Sequence, residues 1–319
     1  MNDNVSKSQH SGRALMLHTY GGPEALRVER ITSREPGPGE VLVSVKAAGV
    51  NGIDWKIREG HLSNRFKLSL PATLGIEMAG VVLRTGHEVT NVKPGDRVMA
   101  ALGDLGAYTD FLIIDAGKLV LTPEGLSDVE AAAIPVAAMT AWHVTQAADF
   151  NLSGRRVLIQ GAAGGVGGFA VQFAKMAGAA VYATASTTSL QHVRALGADD
   201  VIDYRQQTLE HLTCQIDLVI DLVGGVVLDQ CWDLLTPGGL LVSIAAPDVT
   251  SRAPPGRRSV FLSNKPDTAR LALIAKHVAA GTIRSTIAEV ISLGDLPLAI
   301  ERNRTGHPPG KIVADLTLK

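Results

Sequence analysis

The chain has 319 residues, enough for two domains that each bury a core of their own. Its formal net charge of −1, from 30 basic and 31 acidic side chains, excludes a global basic field toward nucleic acid, and 4% aromatic residues exclude broad base-stacking surfaces. No apolar run approaches the roughly 20 residues that span a bilayer, and two cysteines, Cys214 and Cys231, are too few for a disulfide scaffold or a structural zinc site; a reducing cytoplasm is expected.

Residues 1–12 are polar, lack the apolar core of a signal peptide, and read as a flexible tail. Across 13–127, short alternating or β-branched runs such as Val41-Leu-Val-Ser-Val-Lys46, Ala79-Gly-Val-Val-Leu83 and Phe111-Leu-Ile-Ile114 predict strands. Gly21-Gly-Pro23, Pro36-Gly-Pro-Gly39 and Lys93-Pro-Gly-Asp96 separate them as turns, and many short strands on tight turns predict a small antiparallel barrel. Over 128–283 strands alternate with helices, the rhythm of a doubly wound parallel sheet. Val157 to Gln160, Val181 to Ala185, Val201 to Tyr204, Ile216 to Val223 and Leu240 to Ala245 are its expected strands. Val166, Phe169, Ala170, Phe173 and Ala177 share one face of a helix that Gly178 ends. The remainder, 284–319, closes on the strand Gly310-Lys-Ile-Val-Ala-Asp-Leu316, expected to return to the first domain and make it discontinuous. The loop Arg252-Ala-Pro-Pro-Gly-Arg-Arg258 reads as a solvated connection.

The most informative segment is Val157-Leu-Ile-Gln-Gly-Ala-Ala-Gly-Gly-Val-Gly-Gly168. A strand turns into a helix whose first amides point outward; residues without side chains let a pyrophosphate approach them, and the helix dipole favours its charge. A lone glycine-rich pattern is weak, but this one lies between a strand and a helix, the context a dinucleotide site requires. Ala162 departs from the simple pattern. An NAD site usually carries an acid roughly 20 residues beyond the first glycine, to hold the ribose hydroxyls. No acidic residue lies between Gly161 and Ala198, and the second strand ends in Ala183-Thr-Ala-Ser186. Ser186, Tyr204 and Arg205 can meet a 2′-phosphate without repelling it, so NADPH is the expected cofactor. Ser186 also suits a helix N-cap.

These residues resemble the quinone oxidoreductase (zeta-crystallin-like) branch of the medium-chain dehydrogenase/reductase superfamily. The likeness runs through Ala47-Ala-Gly-Val-Asn-Gly-Ile-Asp54, Pro71-Ala-Thr-Leu-Gly-Ile-Glu-Met-Ala-Gly-Val-Val82 and Pro94-Gly-Asp-Arg-Val98. It continues through Gly106-Ala-Tyr108, Thr140-Ala-Trp142, the glycine-rich turn, Leu196-Gly-Ala-Asp199 and the closing Gly306-His-Pro-Pro-Gly-Lys-Ile-Val313. It implies an α/β fold: a GroES-like β-barrel catalytic domain joined to a Rossmann NADP-binding domain, with the site between them and a homodimer as the usual assembly. It implies cofactor contacts at Asn51, Thr140, Ala163, Gly164, Gly165 and Val166. Further contacts are implied at Ser186, Tyr204, Arg205, Val223, Ala245 and Lys311, the last toward the phosphates.

In the metal-dependent alcohol dehydrogenase branch a cysteine follows the third barrel strand and a Gly-His-Glu supplies the next ligand. Here those places hold Asn51 and Gly75-Ile76-Glu77, so no catalytic zinc is expected, and Glu77 is left to hydrogen bonding or packing in the barrel. What remains is hydride transfer to an electron-poor carbon of a quinone, enone or alkenal. For an enone the developing enolate oxygen needs a donor. The resemblance puts Asn51 beside the nicotinamide and Asp54 at an acid position, and Lys56 stands where relatives carry Tyr or Lys; these three are the catalytic candidates, on a helix expected over 52–60. Against this, Lys56 reads equally as a solvated lysine paired with Glu59. Asp54 reads equally as a residue that holds the helix or a ribose hydroxyl. His61 reads as a surface residue and Tyr108 as barrel packing. The competing functions are an NADPH-binding protein with little turnover and an enoyl-thioester reductase.

Overall fold

The structure, a computed structural model, describes residues 10–306 and 308–318. Residues 1–9 of the expected tail and His307 of the closing motif lie outside the described residues. The tail expectation is corrected at its end. Ser11 and Gly12 open the strand Ser11–Leu17, opposite Thr32 and Ile31 of Leu26–Thr32. Gly12 is admitted because the Phe111 ring lies against it: a Cβ there would sit 2.7 Å from Phe111 Cδ2.

Glu40–Gly49 lies at the centre of a seven-stranded sheet. Glu77–Thr85 pairs along one edge; the other edge is shared by Phe111–Asp115, opposite residues 40–44, and Lys311–Asp315, opposite residues 47–49. The C-terminal strand is thereby sewn beside the chain that leads into Asn51, and Val50 N–H donates to Ile312 O at 2.9 Å. Leu15, Val43, Met78, Val98 and Tyr108 fill the barrel interior.

The second sheet has six parallel strands in the spatial order Asp200–Asp203, Ala180–Ala185, Arg156–Gln160, Ile216–Asp221, Leu235–Ser243 and Arg258–Phe261. In sequence order this is 3-2-1-4-5-6, the doubly wound Rossmann arrangement, and its reversal falls beside Arg156–Gln160, where such sheets bind ligands. The helix Gly165–Met176 buries Phe169, Ala170 and Phe173, and ends where Gly178 takes φ +81°. Two elements are shorter than the sequence suggests. The fourth strand stops at Asp221 because its carboxylate Oδ1 accepts the N–H groups of Val223 and Gly224, turning the chain. The expected helix over 52–60 is one turn, Asp54–Arg58, begun by Asp54 accepting Asn51 N–H and ended before Gly60 at φ +79°.

The helices Asp128–Ala132 and Pro135–Thr145 join the two sheets. Ala131, Ala132, Ile134, Ala137 and Ala138 share one apolar cluster with Ala47, Ala79 and Met99 of the barrel and Val157, Ile159 and Ile220 of the parallel sheet. Alanine lets the backbones approach closely at this junction. The contact is buried and continuous, so the glycine-rich turn is held in one position against the barrel end.

Candidate active site

The glycine-rich turn carries open backbone where the sequence placed it. Gly164 is the N-cap of Gly165–Met176 and makes no side-chain cap, so the first helical amides have no intrahelical partner and face outward. A Cβ on Gly167 would lie 2.3 Å from Gly161 O, which explains why the tight turn needs glycine there. Val223 lies over the turn: a Cβ on Gly161 would be 3.0 Å from Val223 Cγ2. Ala245, at the end of the next strand, packs beside Gly224. Ala163, Gly164, Gly165, Val166, Val223 and Ala245 thus gather at the carboxyl edge of the sheet. This open cradle beside uncapped amides fits a dinucleotide pyrophosphate.

The barrel side contributes a saturated polar cluster. Glu77 has no solvent exposure. Its Oε1 accepts from Lys311 Nζ at 2.5 Å and from Asn51 Nδ2 at 2.9 Å, and its Oε2 accepts from Val136 N–H at 2.7 Å. Lys311 Nζ also donates to Asn51 Oδ1 and to Val50 O, both at 2.8 Å. Asn51 Nδ2 donates in addition to Gly49 O. Every polar atom of the Asn51 side chain is therefore engaged within the protein, and so are the three N–H bonds of Lys311. The expected phosphate contact of Lys311 has no donor left to make it in this arrangement. The lysine stem instead packs on the turn, where a Cβ on Gly165 would be 2.6 Å from Lys311 Cδ. Gly164 and Gly310 form a β-bridge at the same place. Thr140 lies one turn beyond Val136 and donates its hydroxyl to Val136 O at 2.7 Å.

Asp54 lies beneath this cluster. It is fully buried, and its Oδ2 accepts from Asn51 N–H and from Tyr108 O–H, each at 2.7 Å, while Oδ1 has no partner among the described residues. Burial, outweighing these two bonds and the charge of Lys311, pushes its carboxyl up to about 6. Sealed in the barrel, Asp54 touches no surface a substrate reaches; its influence passes through the Asn51 backbone, which corrects its place among groups that contact substrate. The Tyr108 phenol is raised well above its usual range, first by burial and then by Asp54. Glu77 hydrogen-bonds in the barrel as expected, but its cation, Lys311, was not read from sequence, and Tyr108 was read only as packing. The available signal for Glu77 was one acid in an otherwise apolar strand run, which needs a buried cation, and Lys311 opens an equally apolar strand.

Ser186, Tyr204 and Arg205 stand at the ends of the second and third strands. Ser186 Oγ lies 3.2 Å from both Thr188 Oγ1 and Ser189 Oγ, so hydroxyls cluster here; no side-chain capping bond joins Ser186 to the following turn. Tyr204 is 49% exposed. The nearest acid, Asp203, accepts from Thr187 Oγ1, Gln206 Nε2 and Arg205 N–H, and Thr187, ahead of the others, holds its carboxyl below the usual range. Lys56 is not drawn into the Asn51 cluster: its ammonium lies 5.6 Å from the Trp55 ring centroid. Glu59, its suggested partner, bonds Arg58, His61 and Arg304 instead.

Metal chemistry can be tested on the donors themselves. Catalytic zinc takes three protein ligands. Asn51 has both amide atoms bonded, Ile76 has no donor atom, and both Glu77 oxygens are bonded, one to an ammonium. No group of three or more His, Cys, Asp or Glu able to hold an ion occurs among the described residues. The residues do not fit zinc.

A dinucleotide turn set against a polar, metal-free barrel end defines a nicotinamide-dependent oxidoreductase. Residues 37–124 match the alcohol dehydrogenase GroES-like domain family, and residues 196–313 match the zinc-binding dehydrogenase family. Human mitochondrial NAD(P)H oxidoreductase RTN4IP1 is 31% identical, over 95% of this chain and 89% of that protein. The chloroplastic NADPH-dependent alkenal/one oxidoreductase of Arabidopsis thaliana is 31% identical, over 94% of this chain and 78% of that protein. The quinone oxidoreductase of Coxiella burnetii superposes with a TM-score of 0.90 at 31% identity, covering 96% of this chain and all of that one. The chain belongs to the medium-chain dehydrogenase/reductase superfamily, in the zinc-independent branch that holds the quinone oxidoreductases.

Proposed function

We propose that the protein uses NADPH to reduce quinones or α,β-unsaturated carbonyls without a metal. The observation that carries this reading is the meeting of the open turn at Gly164 and Gly165 with the Asn51–Glu77–Lys311 cluster, which has no free metal donor. The quinone and alkenal/one oxidoreductases among the relatives support the substrate class. When bound, the reduced cofactor would supply a hydride. The chain binds the pyrophosphate on the first amides of Gly165–Met176, and the hydroxyls around Ser186 with Arg205 receive a 2′-phosphate. Asn51, locked on both ends of its amide, is a rigid wall beside the ring and orients it. Lys56 is the proton or hydrogen-bond donor for the reduced oxygen. Asp203, committed to three internal bonds, is not offered to a ribose.

An enoyl-thioester reductase is less well supported. The arginines that would form an approach surface are engaged: Arg252 with Asp229 and Gly225 O, Arg257 with Leu235 O, and Arg258 with Asp149 and Gly238 O. We further propose a discontinuous catalytic domain, 13–127 with 284–319, around a Rossmann domain at 128–283. A homodimer, for which the edge strand Arg258–Phe261 offers a pairing surface, and a reducing cytoplasm suited to the free thiols Cys214 and Cys231 complete the proposal. The test is an NADPH-oxidation screen over quinones, enones, alkenals and enoyl thioesters. Turnover of the first three classes is expected. Binding of NADPH with no turnover would leave a passive binder, and turnover confined to thioesters would replace the substrate class.

A further inference from the structure

Asn51, at one ligand place of the metal-dependent branch, and Glu77, next to Ile76 at the other, are joined here by a cation that the chain itself supplies. Lys311 Nζ reaches Glu77 Oε1, Asn51 Oδ1 and Val50 O at 2.5, 2.8 and 2.8 Å. Lys311 is 5% exposed and Glu77 not at all. A carboxylate buried to that degree requires a compensating charge, and an amide bonded at both ends does not flip. The same lysine touches the cofactor turn, since its stem occupies the space a side chain at Gly165 would take. Glu77 Oε2 in turn holds Val136 N–H at the start of Pro135–Thr145.

We propose that the Lys311 ammonium is the positive charge around which this site is built. It neutralises Glu77, fixes the Asn51 amide in one orientation, and ties both to the dinucleotide turn. It is a positioning residue and not a phosphate ligand. The kinetic part of this inference rests on the reading that Asn51 borders the nicotinamide; the electrostatic part does not.

The experiment uses the full chain with Lys311→Met, with Lys311→Met/Glu77→Gln, and with the latter pair in an Asn51→Ala background. Lys311→Met strands a buried carboxylate and is expected to lower Tm by about 5 °C or more. Adding Glu77→Gln removes the stranded charge and is expected to restore at least about half of that loss. Equal melting of the single and double variants would overturn the neutralising role. This arm needs no substrate, so it decides even if the wild type reduces nothing in the screen, which would sink the functional reading alone. In the kinetic arm, Lys311→Met/Glu77→Gln is expected to keep the NADPH Kd, from fluorescence titration, within about threefold. Its kcat is expected to fall about tenfold or more with Asn51 present and less than about twofold in Asn51→Ala. Equal falls in both backgrounds, no fall in either, or a weakened Kd with unchanged kcat would overturn the positioning role.

Discussion

Tyr108 donates its phenolic hydrogen to Asp54 Oδ2 at 2.7 Å, and both side chains are fully buried under the Asn51 turn. One Asp54 oxygen has no partner among the described residues, and burial raises the carboxyl from 3.8 to about 6. A carboxyl raised on folding contributes stability that is full below its unfolded pKa and is lost as pH rises through its folded pKa. Asp54→Asn removes that dependence. The Tm of the wild type minus that of Asp54→Asn is therefore expected to be larger at about pH 5 than at about pH 8. A gap that stays constant across this range would show that Asp54 does not titrate near 6.

Cofactor choice rests on the acid-free end of the second strand. NADPH is expected to bind more than about tenfold tighter than NADH, or about 1.4 kcal/mol, in titrations by protein fluorescence. Ser186→Asp puts a carboxylate among the hydroxyls at Thr188 and Ser189 and is expected to weaken NADPH specifically by repulsion. Equal dissociation constants for the two cofactors in the wild type would contradict the assignment.

How far the sequence could be read divides by the range of the interactions. The Rossmann half was legible because its signals are local: a strand, a glycine-rich turn and a helical stripe at Val166, Phe169 and Phe173 lie within 20 residues of one another. Where the strand Ile216–Asp221 ends was not legible, because the Asp221 side chain turning back on Val223 and Gly224 has no periodic signature. The Lys311–Glu77 pair spans 234 positions, and nothing in either local run names the other. The resemblance assigned Lys311 to phosphate, whereas the packed strands aim it into the barrel. Tyr108 read as packing because burial and a buried hydrogen bond look alike in sequence.

Purified protein is expected to hold no stoichiometric zinc, and chelators are expected to leave turnover unchanged. Ile76 has no donor atom, and Glu77 is already committed to Lys311 and Val136. Elemental analysis giving about one zinc per chain would overturn this.

Lys56→Met is expected to lower kcat for an enone by roughly 10²-fold while NADPH affinity holds, if the ammonium assists the developing enolate. A quinone is expected to suffer less, because its reduced oxygen takes a proton readily from solvent. Among the described residues Lys56 makes no ion pair, and its ammonium lies beside the Trp55 ring. A kcat within about threefold of wild type on enones would make Lys56 a bystander and assign proton delivery to water.

The central claim is direct hydride transfer from the cofactor to an electron-poor carbon. NADPH carrying deuterium at the transferring face of the nicotinamide C4, with an enone in ordinary water, tests this most directly. The account predicts deuterium at the β-carbon of the saturated ketone and a solvent proton at the α-carbon. Product with no deuterium at the β-carbon, formed while NADPH is consumed, would contradict it.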